Sequence, residues 1–232
     1  MRQTGAVMSG ASAQMITLHH LSTSHSHVVL WLMEELGEPY DFVAHQREPS
    51  ARAPDSLRAI HPAGKSPTIE DHGVAMIEST GIILYILDAY GKGRLRPAPN
   101  TAEAMGFFQW LTYVGGSAMP PLIQMIRVLM ASPDDPLRPA MEAAAAVPMK
   151  LIEAALEGQQ TIVPGQFTAA DIQLCFYEEI LDNRGQLGDW PNMAAHVARM
   201  RTRDAYQRAL AKGGPVRMSR MPGGTVRAPA QT

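Results

Sequence analysis

The chain has very little cysteine, since Cys175 is the only one in 232 residues. One thiol excludes an intrachain disulfide and a Cys-x-x-Cys redox pair. Disulfides form in oxidising compartments, so this composition favours a reducing, cytoplasmic location. Because Cys175 lies within an apolar segment, we expect it to behave as a small buried hydrophobe.

The low net charge and the lack of long apolar runs exclude two further classes of protein, nucleic-acid binders and membrane-spanning proteins. The net charge is only −2, whereas a domain that binds nucleic acid normally shows a basic excess. No apolar run reaches the roughly 18 residues that span a bilayer, which predicts no membrane segment. Residues 1–14 are rich in Ser, Gly and Ala without a continuous apolar run, and we expect a disordered leader rather than a signal peptide.

The order of predicted elements divides the chain into two domains. Residues 15–92 give the order βαβ-α-ββ-α, which is that of a thioredoxin-like domain with a right-handed crossover. After a Pro-bearing linker, residues 93–100, every periodic segment over residues 101–211 is helical, which predicts an all-helical bundle domain. Residues 212–232 contain no acid and no periodicity, and we expect a disordered tail. The predicted fold class is therefore α+β followed by all-α.

The element bounds follow from apolar periodicity and from Gly and Pro stops. The predicted strands are Met15–His19, Tyr40–Ala44, Thr68–Glu70 and Val74–Ile77. The predicted helices are His27–Leu36, Asp55–Ile60, a helix capped by Ser79 and ended by Gly91, Thr101–Val114, Leu122–Met130, Ala140–Glu157, Ile172–Ile180 behind a Thr168/Asp171 capping box, and Trp190–Leu210. We expect Gly115-Gly116 and Pro120-Pro121 to interrupt one helix and Pro148 to kink another.

The stretch from His61 to Ser79 contains the best candidate for a binding site. A cis bond before Pro67 would leave the neighbouring backbone groups free to pair with a peptide-like guest. Glu78 and Ser79 place a carboxylate and a hydroxyl at a helix N-terminus, where backbone N–H groups suit a substrate carboxylate. Together they describe an amino acid or short peptide. The alternative is that Ser79 is only a cap and Glu78 only an acid favoured by the helix dipole.

The sequence His-Pro-Ala-Gly-Lys-Ser-Pro over residues 61–67, followed by Glu-Ser-Thr-Gly-Ile-Ile over residues 78–83, resembles the glutathione-binding segment of cytosolic glutathione transferases. The resemblance covers most of the chain and includes the capping box, whose role in that family is in folding. It implies glutathione as co-substrate, without a metal. The residues it assigns to glutathione are Ser66 and Pro67 beside the cysteinyl backbone, Glu78 and Ser79 at the γ-glutamyl end, and Lys65 at the glycyl carboxylate.

The resemblance also implies a role for the loop before the first helix. A cysteine thiol titrates near roughly 8.5, so glutathione needs a hydrogen-bond donor or a helix N-terminus to remain a thiolate at neutral pH. The pattern Leu-Ser-Thr-Ser-His-Ser resembles the serine-type bacterial and fungal subgroup. His25 stands where that subgroup has an Arg. Of four loop hydroxyls, Ser24 is our first candidate for the catalytic group and Ser26 the second, while Ser22 and Thr23 remain alternatives. No Tyr or Cys lies in this loop, which argues against the tyrosine-type and cysteine-type mechanisms.

The reaction that the resemblance implies is detoxification, in which the thiolate attacks a small apolar electrophile on a homodimeric enzyme. Tyr113 and Ser117 are expected to line the pocket for this second substrate. Two alternatives stay open. One is a glutathione-dependent reductase or ether-cleaving enzyme of the same fold, and the other is a non-enzymatic binding protein.

The neighbouring histidines of the chain also raise the question of a metal site. His19 and His20 are adjacent, and His25 and His27 are two residues apart. A strand sends adjacent side chains to opposite faces, so His19 and His20 cannot share an ion. Neither a cysteine partner nor a His-Glu-x-x-His helix accompanies them. We therefore expect no metal.

Overall fold

The N-terminal part of the molecule is a four-stranded sheet with helices. The computed structural model describes residues 15–48 and 53–216, so the predicted leader and most of the predicted tail lie outside the described residues. The elements of this part are β1 (Thr17–Leu21), α1 (Ser26–Leu36), β2 (Asp41–His45), α2 (Asp55–Ile60), β3 (Thr68–Asp71), β4 (Val74–Ile77) and α3 (Ser79–Ala89).

The sheet has the strand order β2-β1-β3-β4. β1 is parallel to β2, while β3 is antiparallel to both β1 and β4. This arrangement confirms the predicted thioredoxin-like domain. β1 extends to Leu21, two residues beyond its predicted end, because Leu21 still pairs with His45 of β2. The extension matters because it keeps His19 and His20 inside the strand, on its opposite faces.

Helices make up the second part, which confirms the predicted all-helical domain. They are α4 (Ala102–Tyr113), a π-helical turn (Val114–Ala118), α5 (Met119–Ala131), α6 (Arg138–Ala155), α7 (Ala169–Asp182), α8 (Pro191–Arg201) and α9 (Asp204–Gly213). The π-helical turn lies where the two glycines predicted an interruption, and helix α6 continues through Pro148. No helix in the described part of the chain is long and apolar enough to cross a membrane.

The prediction of one final helix from Trp190 to Leu210 is wrong. Helix α8 ends at Arg201, and α9 begins at Asp204. Arg203 between them takes an extended backbone conformation, and its guanidinium binds Glu35 of α1 through two hydrogen bonds. Asp204 then supplies the acid that the helix dipole favours in a first turn.

Helix α7 forms the centre of the helical part, and residues 169–181 are all buried. A helix buried on every side must begin without orphaned N–H groups. Thr168 solves this with the predicted capping box, in which its Oγ accepts from the Ala170 N–H and its own N–H donates to the Asp171 carboxylate. The capping box is therefore confirmed as a feature of the fold.

Helix α1 packs along α9, and this contact brings the end of α9 to the sheet. Glu34 of α1 accepts hydrogen bonds from Arg208 and Lys212 of α9. The contact is so close at Gly213 that a Cβ there would lie 2.6 Å from Cδ2 of Leu30 and 2.9 Å from the ring of His20. Only glycine fits, and its carbonyl thereby reaches His20 on β1.

Candidate functional site

Hydroxyl groups from two distant segments meet at the first loop. Ser24 Oγ lies 2.8 Å from Ser26 Oγ and 2.8 Å from Ser66 Oγ, 42 residues further along the chain. Ser26 Oγ lies 2.9 Å from Nδ1 of His20, whose Nε2 lies 3.0 Å from the carbonyl oxygen of Gly213. The four side chains form one hydrogen-bonded array that runs from the half-buried Ser66 to the end of α9.

The direction of these hydrogen bonds follows from the acceptor at the end. The Gly213 carbonyl can only accept, so Nε2 of His20 carries the proton. Burial lowers the pKa of His20 despite that hydrogen bond, so the ring is neutral at pH 7 and its Nδ1 accepts from Ser26. Ser26 has then used its one proton, and we infer that Ser24 donates to Ser26 while Ser66 donates to Ser24.

A second contact joins the loop to the start of α3. Nδ1 of His25 lies 2.9 Å from Oγ of Ser79, and the His25 ring packs on Phe176 of α7. Burial lowers the pKa of His25 to about 4, so it carries no charge at neutral pH. The positive charge that an Arg would carry at this position is therefore absent, and His25 is a neutral partner of Ser79.

The backbone at Ser66–Pro67 and at Glu78 has unusual geometry. The Ser66–Pro67 bond is cis, and Glu78 has a φ of 80°. Ser79 was expected to cap α3, but the helix already begins at Ser79 and Glu78 is the N-cap residue. A non-glycine residue with positive φ is uncommon and concentrates at functional sites. Glu78 is exposed, and its carbonyl oxygen accepts the first hydrogen bond of the helix, from the N–H of Ile82.

Tyr113 and Ser117, expected in the second-substrate pocket, lie beside and within the π-helical turn between α4 and α5. Tyr113 is the last residue of α4, and Ser117 is exposed on the π-helical turn. A Cβ on Gly115 of this turn would lie 3.2 Å from Oγ1 of Thr80, so the turn packs against the first turn of α3. Single π-helical turns of this kind occur frequently at functional sites. The role of Tyr113 and Ser117 as pocket residues stays a prediction.

Sequence reasoning missed the two histidines that hold this site together. His20 drew attention only as a possible metal ligand, and His25 only as that and as the residue at an Arg position of the subgroup. No group of residues suited to a metal ion exists among the described residues. The pairing of His20 with Ser26 depends on the end of α9, which lies 193 residues away from His20. The usable signal was the histidine at the end of a strand followed by a serine-rich loop.

Comparisons with known proteins indicate the family of the N-terminal part. Residues 18–96 match the family model of the glutathione S-transferase N-terminal domain. Glutathione S-transferase 3 of Schizosaccharomyces pombe is 36% identical over 106 residues, which cover 46% of this chain and 43% of that protein. Glutathione S-transferase 1 of Saccharomyces cerevisiae is 32% identical over 130 residues, covering 53% and 55%. The matched part thus spans about half the length of these curated relatives.

Solved structures extend the similarity to both parts of the molecule. A glutathione S-transferase from Actinobacillus pleuropneumoniae is 30% identical, with a TM-score of 0.75 over 86% of this chain and 93% of that one. The fold and the sequence thus define a thioredoxin-like domain joined to a helical bundle, and the chain belongs to the cytosolic glutathione S-transferase superfamily. A sphingomonad glutathione S-transferase solved with glutathione is 21% identical, with a TM-score of 0.72 over 85% and 98%, and agrees in fold.

Proposed function

We propose that the protein is a glutathione transferase that conjugates the glutathione thiolate to an apolar electrophile. The observation that carries this proposal is the 2.8 Å contact between Ser24 and Ser66. It joins the loop predicted to activate the thiol to the residue predicted to flank the cysteinyl backbone. A cysteinyl residue bound at Ser66 and Pro67 would have its sulfur next to the hydroxyl of Ser24.

Ser24 would stabilise the thiolate by redirecting its own hydroxyl proton toward the sulfur. In the free protein this proton points to Ser26, but Ser26 Oγ also accepts the N–H of Leu21 at 3.2 Å. Ser24 can therefore donate to a sulfur anion without leaving Ser26 unpartnered. A hydrogen bond to a charged acceptor contributes about 1.5–3 kcal/mol, and it would favour the thiolate over the thiol.

The other predicted residues would hold the two charged ends of glutathione. The hydroxyl of Ser79 and the N–H groups of the first turn of α3 suit the γ-glutamyl carboxylate, while the carboxylate of Glu78 suits the ammonium. Lys65 is exposed two residues before Pro67 and suits the glycyl carboxylate. The relative from a sphingomonad, solved with glutathione, supports the choice of this thiol.

The composition of the site supports conjugation over reduction. Cysteine-type members need a protein thiol near glutathione, whereas Cys175 is buried in α7 and burial raises the pKa of its thiol. An ether-cleaving reaction, or a binding protein without turnover, would use the same residues. Products from a β-ether or glutathionylated aromatic compound separate these outcomes from simple conjugation.

A homodimer and a cytoplasmic location complete the proposal. Met105 and Phe108 on α4 are 76% and 44% exposed, which is unusual for large apolar side chains on one helix and supports burial against a second copy. Light scattering should then give twice the 25.2 kDa mass of one chain. The single cysteine supports a reducing compartment.

Thermal unfolding with increasing glutathione tests the proposal. A ligand at about 100 times its dissociation constant stabilises the folded state by roughly 2.7 kcal/mol, which corresponds to a rise of roughly 5–11 °C in melting temperature for a chain of this size. Glu78→Gln should reduce the rise. Glu103→Gln is the matched control, because Glu103 is also an exposed acid at a helix start, that of α4. No rise at millimolar glutathione would refute the proposed site.

A further inference from the structure

A second array of polar side chains lies on the other face of β1, where His19 points. Nε2 of His19 lies 2.7 Å from the carboxylate of Glu70, and its Nδ1 lies 3.1 Å from Nε2 of His45. Nδ1 of His45 lies 2.9 Å from Oγ of Ser56 on α2. The glutathione residues proposed above take no part in this array.

The proton positions in this array follow from its carboxylate. Glu70 accepts only, so His19 donates from Nε2 and presents a lone pair on Nδ1. His45 must then donate from Nε2 to His19, which leaves the lone pair of its own Nδ1 for the hydroxyl of Ser56. Burial and the neighbouring His19 lower the pKa of His45, so the ring is neutral at pH 7 and able to take a proton from Ser56.

The exposure of the members differs along the array. His19 and His45 are 3% and 6% exposed, whereas Ser56 at the other end is exposed to solvent. A hydroxyl that is both accessible and bonded to a buried, oriented imidazole is the arrangement of an activated nucleophile. A carboxylate that fixes the imidazole tautomer is the third part of that arrangement, and here His19 transmits its effect to His45.

We propose that Ser56 is a nucleophilic serine that reacts with small unhindered acyl esters and phosphonyl halides. His45 activates its hydroxyl, and Glu70 orients His45 through His19. With p-nitrophenyl acetate, Ser56 Oγ bonds to the acyl carbon, p-nitrophenolate leaves, and the serine proton passes to His45 Nδ1. The His45 imidazolium releases that proton to solvent and is neutral again. Water then attacks the acetyl carbon while Nδ1 of His45 takes the proton of the water. His45 returns that proton to Ser56 Oγ, which releases acetic acid.

Labelling the intact protein with a fluorophosphonate tests this proposal. The P–O bond forms at Ser56, fluoride leaves, and peptide mass spectrometry locates and times the label. Ser132, exposed after α5 without a histidine contact among the described residues, is the internal control. Ser56 should react about 10²-fold faster, the lower end of what a general base contributes. Equal rates at the two serines would overturn the proposal.

Two variants then assign the rate to the array. His45→Gln and Glu70→Gln should each slow the labelling of Ser56, and Ser56→Ala should abolish the burst of p-nitrophenolate. Glu70 is part-exposed, so its variant serves if His45→Gln fails to fold. Fast labelling of Ser56 in either folded variant would also overturn the proposal. The glutathione-induced rise in melting temperature should persist in Ser56→Ala, so this proposal and the transferase proposal fail independently.

Discussion

Two polar clusters in this molecule have a similar composition but differ in how their hydrogen bonds end. The cluster at the start of α7 is closed, because the Asp171 carboxylate accepts from the Thr168 N–H, the Thr168 hydroxyl, the Ile162 N–H and His196. The cluster at the first loop is open, because its array begins at the half-buried Ser66 and passes through Ser24. Both contain a hydroxyl and a histidine, yet only the second has a group free to exchange partners.

The difference indicates which polar residues are structural and which are available for chemistry. Asp171, Thr168 and His196 are fully buried, so the loss of any one of these side chains leaves buried polar groups without a hydrogen-bond partner. The first loop instead holds the hydroxyl of Ser24, which lies 2.8 Å from the hydroxyls of both Ser26 and Ser66 and can therefore change its hydrogen-bond partner. A pattern of residue types cannot separate these cases, but the ends of the hydrogen-bonded arrays do.

The largest effect is expected from breaking the closed cluster. Asp171→Ala removes the acceptor of four hydrogen bonds and leaves His196 beside Glu178 alone, so we expect a loss of about 3–5 kcal/mol in the free energy of unfolding. Urea denaturation measures the loss. Asp182→Ala in the same helix is the control, since Asp182 forms a part-exposed ion pair with Arg201 and should cost at most about 1 kcal/mol. Equal losses would contradict the distinction between the clusters.

Much of this fold follows from the sequence because its signals are local. The Thr168/Asp171 box lies within four residues, and the order of strands and helices follows from periodicity; the structure confirms both. The split between α8 and α9 was not predicted, because the extended backbone of Arg203 is held by Glu35, 168 residues away. The same limit hid the partners of His20, which come from α1 and from the end of α9.

The intermediate effect is expected from the open cluster. Ser24→Ala should lower turnover with an aryl halide electrophile roughly 10–100-fold, which is the 1.5–3 kcal/mol of a hydrogen bond to a charged group. The pKa of the thiol of bound glutathione, measured from the absorbance of the thiolate, should rise in the variant. Ser132→Ala is the matched control and should change neither quantity. Full turnover in Ser24→Ala together with its loss in Ser26→Ala would contradict the role of Ser24.

His27 is a buried histidine that belongs to neither cluster, and its pKa can be compared with that of His196. His27 is 3% exposed and neither of its nitrogens has a partner among the described residues, and burial lowers its pKa to about 3. Burial also acts against the charge of His196, but the carboxylates of Glu178 and Asp171 outweigh it and raise that pKa to about 9. His27 therefore costs stability as the pH falls below the unfolded value near 6.5, whereas the stability from His196 is lost as the pH rises through about 9.

The smallest effect follows from removing His27. Between pH 7 and pH 5.5 the unfolded chain takes up a proton that the folded His27 refuses, which costs about 1 kcal/mol of the free energy of unfolding. His27→Phe fills the site with an apolar ring and should flatten the dependence on pH by that amount. Ser132→Ala is the control, because Ser132 is exposed and the change removes no titratable group, so the slope should stay unchanged. An unaltered slope in His27→Phe would mean that His27 is protonated in the folded state and therefore has a partner.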